Sequence, residues 1–249
     1  MRSKAKPKVA FFDFACCEGC QFTVLNLEEK LLDLLKLVDI VEFREAMSEK
    51  SDDYDVAIVE GSITTEEAVE RIKKIRERAK ILVALGACAT IGGINSIRNP
   101  MGNEDVLKIV YGESADYFDT LSAMPVDAVV PVDAYVHGCP IDKEEFFRIV
   151  HDLLLGKKPV IPDYPVCVDC KMAENICVFD LGKFCLGPVT RAGCGAVCPG
   201  QRKGCVGCRG LVGEPNTSSM TEVLRDHGLT VEDVLRKFKL FGSYAGEER

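Results

Sequence analysis

The sequence predicts an α/β chain in two parts: a parallel sheet covered by helices, then a small irregular cysteine-rich region with two helices at its end. Three observations predict it. Over roughly residues 1–155, strand-like apolar runs alternate with stretches of helical periodicity. Cysteine density then shifts, from five at positions 16, 17, 20, 88 and 139 to eight between 167 and 208. Between the parts, Lys157-Lys158-Pro159, Pro162 and Pro165 interrupt the helical pattern. The expected domains are therefore 1–158 and 159–249.

Each element has its own signal. Lys8 to Phe14 is an apolar run suited to a buried strand. Gln21 to Leu37 places Val24, Leu27, Leu31, Leu34 and Leu35 on one helical face. Ile40 to Phe43 and Asp55 to Val59 read as strands. Thr64-x-x-Glu67 reads as a capping box opening a helix to about Arg78. Lys80 to Leu85 is a strand ending at Gly86, Val106 to Tyr111 is helical, and 112–127 carry no clear signal. Val129 to Val136 is the last strand. Asp142, with Glu145 three residues on, caps a helix through Leu155. Strands alternating with helices imply a parallel sheet covered on both faces. Residues 160–216 are rich in Cys, Gly and Pro and cannot build an apolar core, so bound metal would have to organise them. Helices over about Ser218 to His227 and from Thr230, capped with Asp233, to near Phe241 close the chain.

Composition narrows the function. With 249 residues and 47% hydrophobic content a real core can be buried. A net charge of −8 argues against nucleic acid as the main partner. No run of eighteen apolar residues suggests a membrane span. Met1 to Lys8 is short and basic and lacks the features of a signal peptide, so a cytoplasmic location is the expectation. In a reducing compartment, thirteen cysteines point to metal or redox chemistry rather than disulfides. No phosphate-binding Gly-x-x-x-x-Gly-Lys loop is present, and Gly92-Gly93 is too weak a signal for a nucleotide.

The cysteines fall where chemistry could use them. Cys17 and Cys20 follow the first strand, Cys88 follows the Lys80–Leu85 strand, and Cys139 follows the Val129–Val136 strand. Loops at the carboxyl ends of parallel strands share one edge, so these thiols are expected to converge, and four converging thiolates suit a cubane iron–sulfur cluster. Gly19, Gly86 and Gly138 beside them would let backbone approach such a group. The plainer alternative is that Cys88 and Cys139 are small buried hydrophobes. The second group, Cys167-x-x-Cys170, Cys177, Cys185, Cys194-x-x-x-Cys198 and Cys205-x-x-Cys208, reads as two four-thiolate sites. Zinc ribbons use similar pairs and remain open at this point. Twelve cysteines complete three four-ligand sites and leave Cys16 or Cys17 over.

Ala15-Cys16-Cys17-Glu18-Gly19-Cys20, Val59-Glu60-Gly61-Ser62, Gly86-Ala87-Cys88-Ala89 and His137-Gly138-Cys139-Pro140 resemble the small-subunit signature of nickel–iron hydrogenases. Cys185-Leu-Gly-Pro-Val-Thr-Arg-Ala-Gly-Cys194 and Cys205-Val-Gly-Cys208-Arg-Gly resemble the delta subunit of cytoplasmic sulfhydrogenases, and are similar to small subunits of F420-non-reducing hydrogenases. The resemblance implies a flavodoxin-like first domain with a proximal 4Fe–4S cluster on Cys17, Cys20, Cys88 and Cys139, and Glu60 close to it. It implies a medial cluster on Cys194, Cys198, Cys205 and Cys208 and a distal one on Cys167, Cys170, Cys177 and Cys185. An interleaved arrangement would put Cys185 or Cys198 on the other cluster. Tandem Cys16-Cys17 also resembles the related small subunit of respiratory complex I; Cys16 is read as a neighbouring thiol rather than a ligand. The missing twin-arginine leader again says cytoplasm.

The function this implies is an electron relay through three 4Fe–4S clusters. Its partners would be a nickel–iron large subunit, where hydrogen is split, and a subunit carrying flavin or iron–sulfur centres. The same relay in a complex I-like oxidoreductase without nickel is the alternative, and a zinc-stabilised α/β binding protein the outlying one. His137 is expected to pack or to hydrogen-bond near the first site, and His151 and His227 to be solvated. The terminal acceptor is chosen by other subunits and is not written in this chain.

Overall fold

The computed structural model describes residues 5–242. Its strands are β1 (Lys8–Asp13), β2 (Asp39–Phe43), β3 (Val56–Glu60), β4 (Ile81–Leu85) and β5 (Ala134–Val136). Its helices are α1 (Gly19–Leu25), α2 (Glu29–Leu37), α3 (Glu66–Arg78), α4 (Gly86–Ile91), α5 (Asn103–Tyr111), α6 (Lys143–Leu154), α7 (Val166–Met172), α8 (Val197–Gly200), α9 (Thr217–Asp226) and α10 (Val231–Gly242).

The strands form one sheet in the order β2-β1-β3-β4-β5, with every pairing parallel. This is the flavodoxin-like order, and the chain changes direction of progress between β1 and β3. β3 is buried along its whole length and β1 and β4 nearly so, which is why they read as unbroken apolar runs. Alternate side chains feed two cores. Val9, Phe11, Ile58, Val83 and Leu85 pack with Val24, Leu34, Phe146 and Ile149 under α1, α2 and α6. Phe12, Val59, Leu82 and Ala84 pack with Ile72, Ile75 and Ala89 under α3 and α4.

Several boundaries differ from expectation. The helix expected over Gln21–Leu37 is two helices, because the chain breaks at Asn26–Glu28. Glu28 takes φ 56° there, and the break turns Leu27 into the core, where it is 3% exposed. The cap of α3 is Thr65, not Thr64: its hydroxyl accepts from the Ala68 N–H at 3.1 Å. β5 starts at Ala134 rather than Val129. The Val129 and Val130 N–H groups bond back to the Val126 carbonyl, and Pro131 has no N–H to give. The chain joins the sheet only at Asp133, whose N–H donates to Leu82 O at 2.9 Å and whose carboxylate accepts from Leu82 N at 2.7 Å.

Other signals match the structure. Asp142 accepts from Glu145 N at 2.8 Å to cap α6. Thr230 and Asp233 cap α10 reciprocally, at 3.1 and 3.3 Å. In the cysteine-rich stretch, regular structure is confined to the short α7 and α8, and α9 and α10 pack Met220, Leu224 and Val234 onto Leu186 and Val189. Among the described residues, no helix is long and apolar enough to cross a membrane.

Candidate metal centres

The first centre is built at the carboxyl edge of the sheet. Cys16, Cys17 and Cys20 follow β1, Glu60 ends β3, Cys88 lies in α4 directly after β4, and Cys139 follows β5. Backbone bonds tie these ends together. The Ala15 and Ser62 backbones bridge the ends of β1 and β3, and Ala87 N–H donates to Gly138 O at 2.7 Å across the ends of β4 and β5. Glu60 is 2% exposed, and its carboxylate accepts from the N–H groups of Cys20 at 3.1 Å and Gln21 at 3.0 Å. That fixes the first turn of α1 and hence the Cys20 thiol. Gly86 has φ +81°, and a Cβ there would run into Cys20 Sγ, so the close approach of β4 to this thiol requires glycine. Asn95 Nδ2 donates to Ala15 O at 2.6 Å and Ser62 Oγ at 2.8 Å and lies 4.0 Å from Cys88 Sγ.

The thiols feel one another and Glu60. Burial, then Cys139 and Glu60, push the Cys88 thiol up to about 12. Burial, then Cys17 and Glu60, raise Cys139. Burial and Glu60 raise Cys20, with Cys139 adding. Cys16 is pushed up to about 12 by burial, then Glu60, with Cys88 contributing. Cys16 therefore shares the neighbourhood of the expected four. Cys17 and Cys139 are the exposed members.

The eight later cysteines divide between two cavities. Cys167, Cys170, Cys177 and Cys185 line one of about 130 Å³, walled by Val166, Val178 and Phe179. Cys194, Cys198, Cys205 and Cys208 line another of about 280 Å³, together with Cys139 and Arg209. The two meet where Cys185 Sγ accepts from the Cys205 N–H at 3.2 Å; it also accepts from the Gly187 N–H at 3.3 Å. Because Cys139 belongs to the sheet edge and also lines the larger cavity, the three thiol groups lie in a row. Burial, first of all, pushes Cys205 up to about 12 and Cys167 and Cys208 to about 11. Such thiols give up their protons when a cation binds, so ligation and proton release are coupled. A cavity between four thiols has room for a multi-atom inorganic group. A lone zinc ion, about 2.3 Å from each sulfur, draws its ligands onto one point. Among the described residues, no three His, Cys, Asp or Glu side chains close on such a point. A cavity of about 610 Å³ lies elsewhere, under α3 among Phe12, Tyr54, Arg71 and Arg78, and its lining has no thiol.

One pair is not visible in the sequence pattern. Arg209, 1% exposed, ion-pairs through Nη2 with Glu145 Oε1 at 2.8 Å. Its Nε donates to Ala192 O at 2.8 Å and its Nη1 to His137 O at 2.6 Å. The pattern accounts for Glu145 only as a partner in the α6 cap; its side chain instead turns inward to the arginine. His137 is buried, and burial with the Arg191 and Arg209 cations holds it down to about 3, so its imidazole is neutral. His151 stacks on Phe147 and is half-buried, whereas His227 is exposed.

Residues 17–153 match the family described as NADH ubiquinone oxidoreductase, 20 Kd subunit. That span covers β2 to β5 and Cys17, Cys20, Cys88 and Cys139; β1 and Cys16 precede it, and the eight later cysteines lie beyond it. Sulfhydrogenase 2 subunit delta of Pyrococcus furiosus is 40% identical over 95% of this chain and 100% of its own length. A subunit of the vhu F420-non-reducing hydrogenase of Methanococcus voltae is 32% identical over 84% of each chain. Among solved structures, a chain of an NAD+-reducing NiFe-hydrogenase in the H2-reduced state matches with a TM-score of 0.56 and 30% identity, covering 63% of this chain and 96% of that one.

Proposed function

Because the chain belongs to the family of the 20 Kd subunit of NADH ubiquinone oxidoreductase, as an electron-transfer small subunit of nickel–iron hydrogenase type, we propose that it relays electrons through three 4Fe–4S clusters. The relay would run between a nickel–iron large subunit and a subunit carrying flavin or iron–sulfur centres. The observation that supports it is the grouping of the thiols: four at the sheet edge, then two cavities with four each, in a row. Bound clusters would supply one-electron carriers whose potentials are set by thiolate number, hydrogen bonds to sulfur and burial.

The residues take definite parts. Cys17, Cys20, Cys88 and Cys139 would hold the proximal group, Cys194, Cys198, Cys205 and Cys208 the medial one, and Cys167, Cys170, Cys177 and Cys185 the distal one. Glu60 orients Cys20 through the backbone. Val166, Val178 and Phe179 give the distal cavity apolar walls. Cys17 and Cys139, exposed in this chain alone, mark the edge that the large subunit would cover. Cys16 stays a neighbouring thiol. The NAD-reducing hydrogenase HoxS subunit delta of Cupriavidus necator, 29% identical over 64% of this chain, supports a partner that passes electrons to a nucleotide-reducing module.

Iron and acid-labile sulfide in the anaerobically purified complex test the reading. About twelve iron per chain is expected for three cubanes; zinc without sulfide would overturn it. The NADH ubiquinone oxidoreductase family match favours one second reading, the same relay beside a large subunit without nickel. Nickel content and hydrogen-dependent viologen reduction by the complex separate the two.

A further inference from the structure

A buried ion pair is weak evidence for stability, because desolvating both charges costs about what their attraction returns. Arg209 and Glu145 are such a pair, with side chains 1% and 4% exposed. Their position is more telling than their energy. Arg209 lines the same cavity as Cys139, Cys194, Cys198, Cys205 and Cys208. It holds the carbonyl of His137, two residues before Cys139, and that of Ala192, two before Cys194, and it directly follows Cys208. One cation thus clamps the loops of two thiol groups at their junction.

The surroundings keep that charge in place. Gly193 has φ +113°, and a Cβ there would lie 2.6 Å from Glu145 Oε1 and run into the guanidinium. Glycine is needed for the pair to sit against this backbone. The second carboxylate oxygen, Glu145 Oε2, is buried with no hydrogen-bond partner. A guanidinium does not lose its charge at accessible pH. In an interior of low dielectric constant its field reaches neighbouring groups with little screening.

On the cluster assignment of the proposed function, on which this step rests, we propose that the Arg209–Glu145 pair is an electrostatic setting for the electron path. The arginine favours the reduced form of the medial cluster and Glu145 partly offsets it. The arginine also fixes the spacing between the Cys139 and Cys194–Cys208 loops. Adding an electron to a cluster is easier beside a cation and harder beside an anion. The two partners therefore act with opposite sign on the potential, whereas a merely structural pair would not.

The test is an EPR-monitored redox titration of the whole complex, with the medial signal identified by its loss in Cys198→Ser. Arg209→Met is expected to lower the medial midpoint and Glu145→Gln to raise it, while Arg209→Lys stays near wild type. Each shift should be at least about threefold in the electron partition between medial and proximal clusters; a tenfold change is about 59 mV for a one-electron couple. If Arg209→Met fails to load clusters, Glu145→Gln, isosteric with the native residue, decides alone: a raised midpoint supports the proposal and an unmoved or lowered one overturns it. Midpoints that move together in both variants, or not at all, also overturn it. Wild-type complex without cluster signals would instead overturn the underlying reading, and this step with it.

Discussion

The sheet and the cysteine-rich stretch are held together by different physics. In the sheet, β1, β3 and β4 are sandwiched between two aliphatic layers, and residues such as Ile58, Ile72, Leu82, Leu85 and Ile149 are wholly buried. In the stretch after residue 160, the central cluster of buried side chains is Val166, Cys170, Val178, Cys185, Ala196 and Cys205, half of them cysteines. The groups that would form its core are thus the groups that would ligate metal. Stability in the first region comes from apolar area removed from water. In the second, on the proposed function, it would come largely from bonds to a bound group.

Removing that group should break the comparison open. Chelating the clusters is expected to cost the cysteine-rich region on the order of 10 kcal/mol, if its ligation matches that of structural metal sites. Hydrogen exchange of the stripped complex should then show amides such as Leu186, Thr190 and Arg191, whose N–H groups bond to Cys205, Leu186 and Gly210, losing protection. Amides of β3 and β4 should keep theirs. Equal protection in both regions would sink the idea that ligation organises the second. A smaller contrast comes from truncation. Phe146, 1% exposed in the first core, should cost ~3–5 kcal/mol as Phe146→Ala. Val178→Ala in the second core, with the clusters bound, should cost well under half of that. Denaturant unfolding of the loaded protein measures both, and similar losses would show that apolar packing matters equally in the two regions.

The same contrast explains what the sequence made legible. Periodicity reports burial on one or two faces, so the strands at Lys8, Ile40, Asp55 and Lys80 and their parallel arrangement could be read directly. The expected convergence of Cys17, Cys20, Cys88 and Cys139 rests on the same rule, because strand ends in a parallel sheet share an edge. Where a local turn competes with a periodic pattern, the pattern misleads. Val129 and Val130 look like strand, but a turn satisfies their N–H groups and Pro131 interrupts the run. Leu27 fits a continuous helix, but burying it takes a break at Glu28. In the cysteine-rich stretch, spacing disclosed groups of thiols but not their geometry. The role of Arg209 depends on contacts with Glu145, His137 and Ala192, up to 72 positions away, which no local pattern encodes.

The smallest effect tests the most local reading, the start of α3. Thr64 and Thr65 are adjacent and chemically identical, and Glu67 three residues after Thr64 favours the first as cap on pattern alone. The structure instead has Thr65 in extended geometry, φ −143° and ψ 159°, with its hydroxyl on the Ala68 N–H. Thr64 takes part through its backbone, its carbonyl accepting from Leu121 N at 2.7 Å. Thr65→Ala leaves a donor in the first turn unsatisfied and should cost ~1 kcal/mol. Thr64→Ala keeps the carbonyl and should stay within about 0.5 kcal/mol of wild type. Paired thermal melts of the loaded protein measure the difference. The reverse order would move the cap one residue earlier and restore the box with Glu67. Because α3 covers the second core, in which Ile72 and Ile75 lie beneath it, this cap belongs to the region held by apolar burial. Its cost should therefore persist unchanged when the clusters are removed, a result the cysteine-rich region could not give.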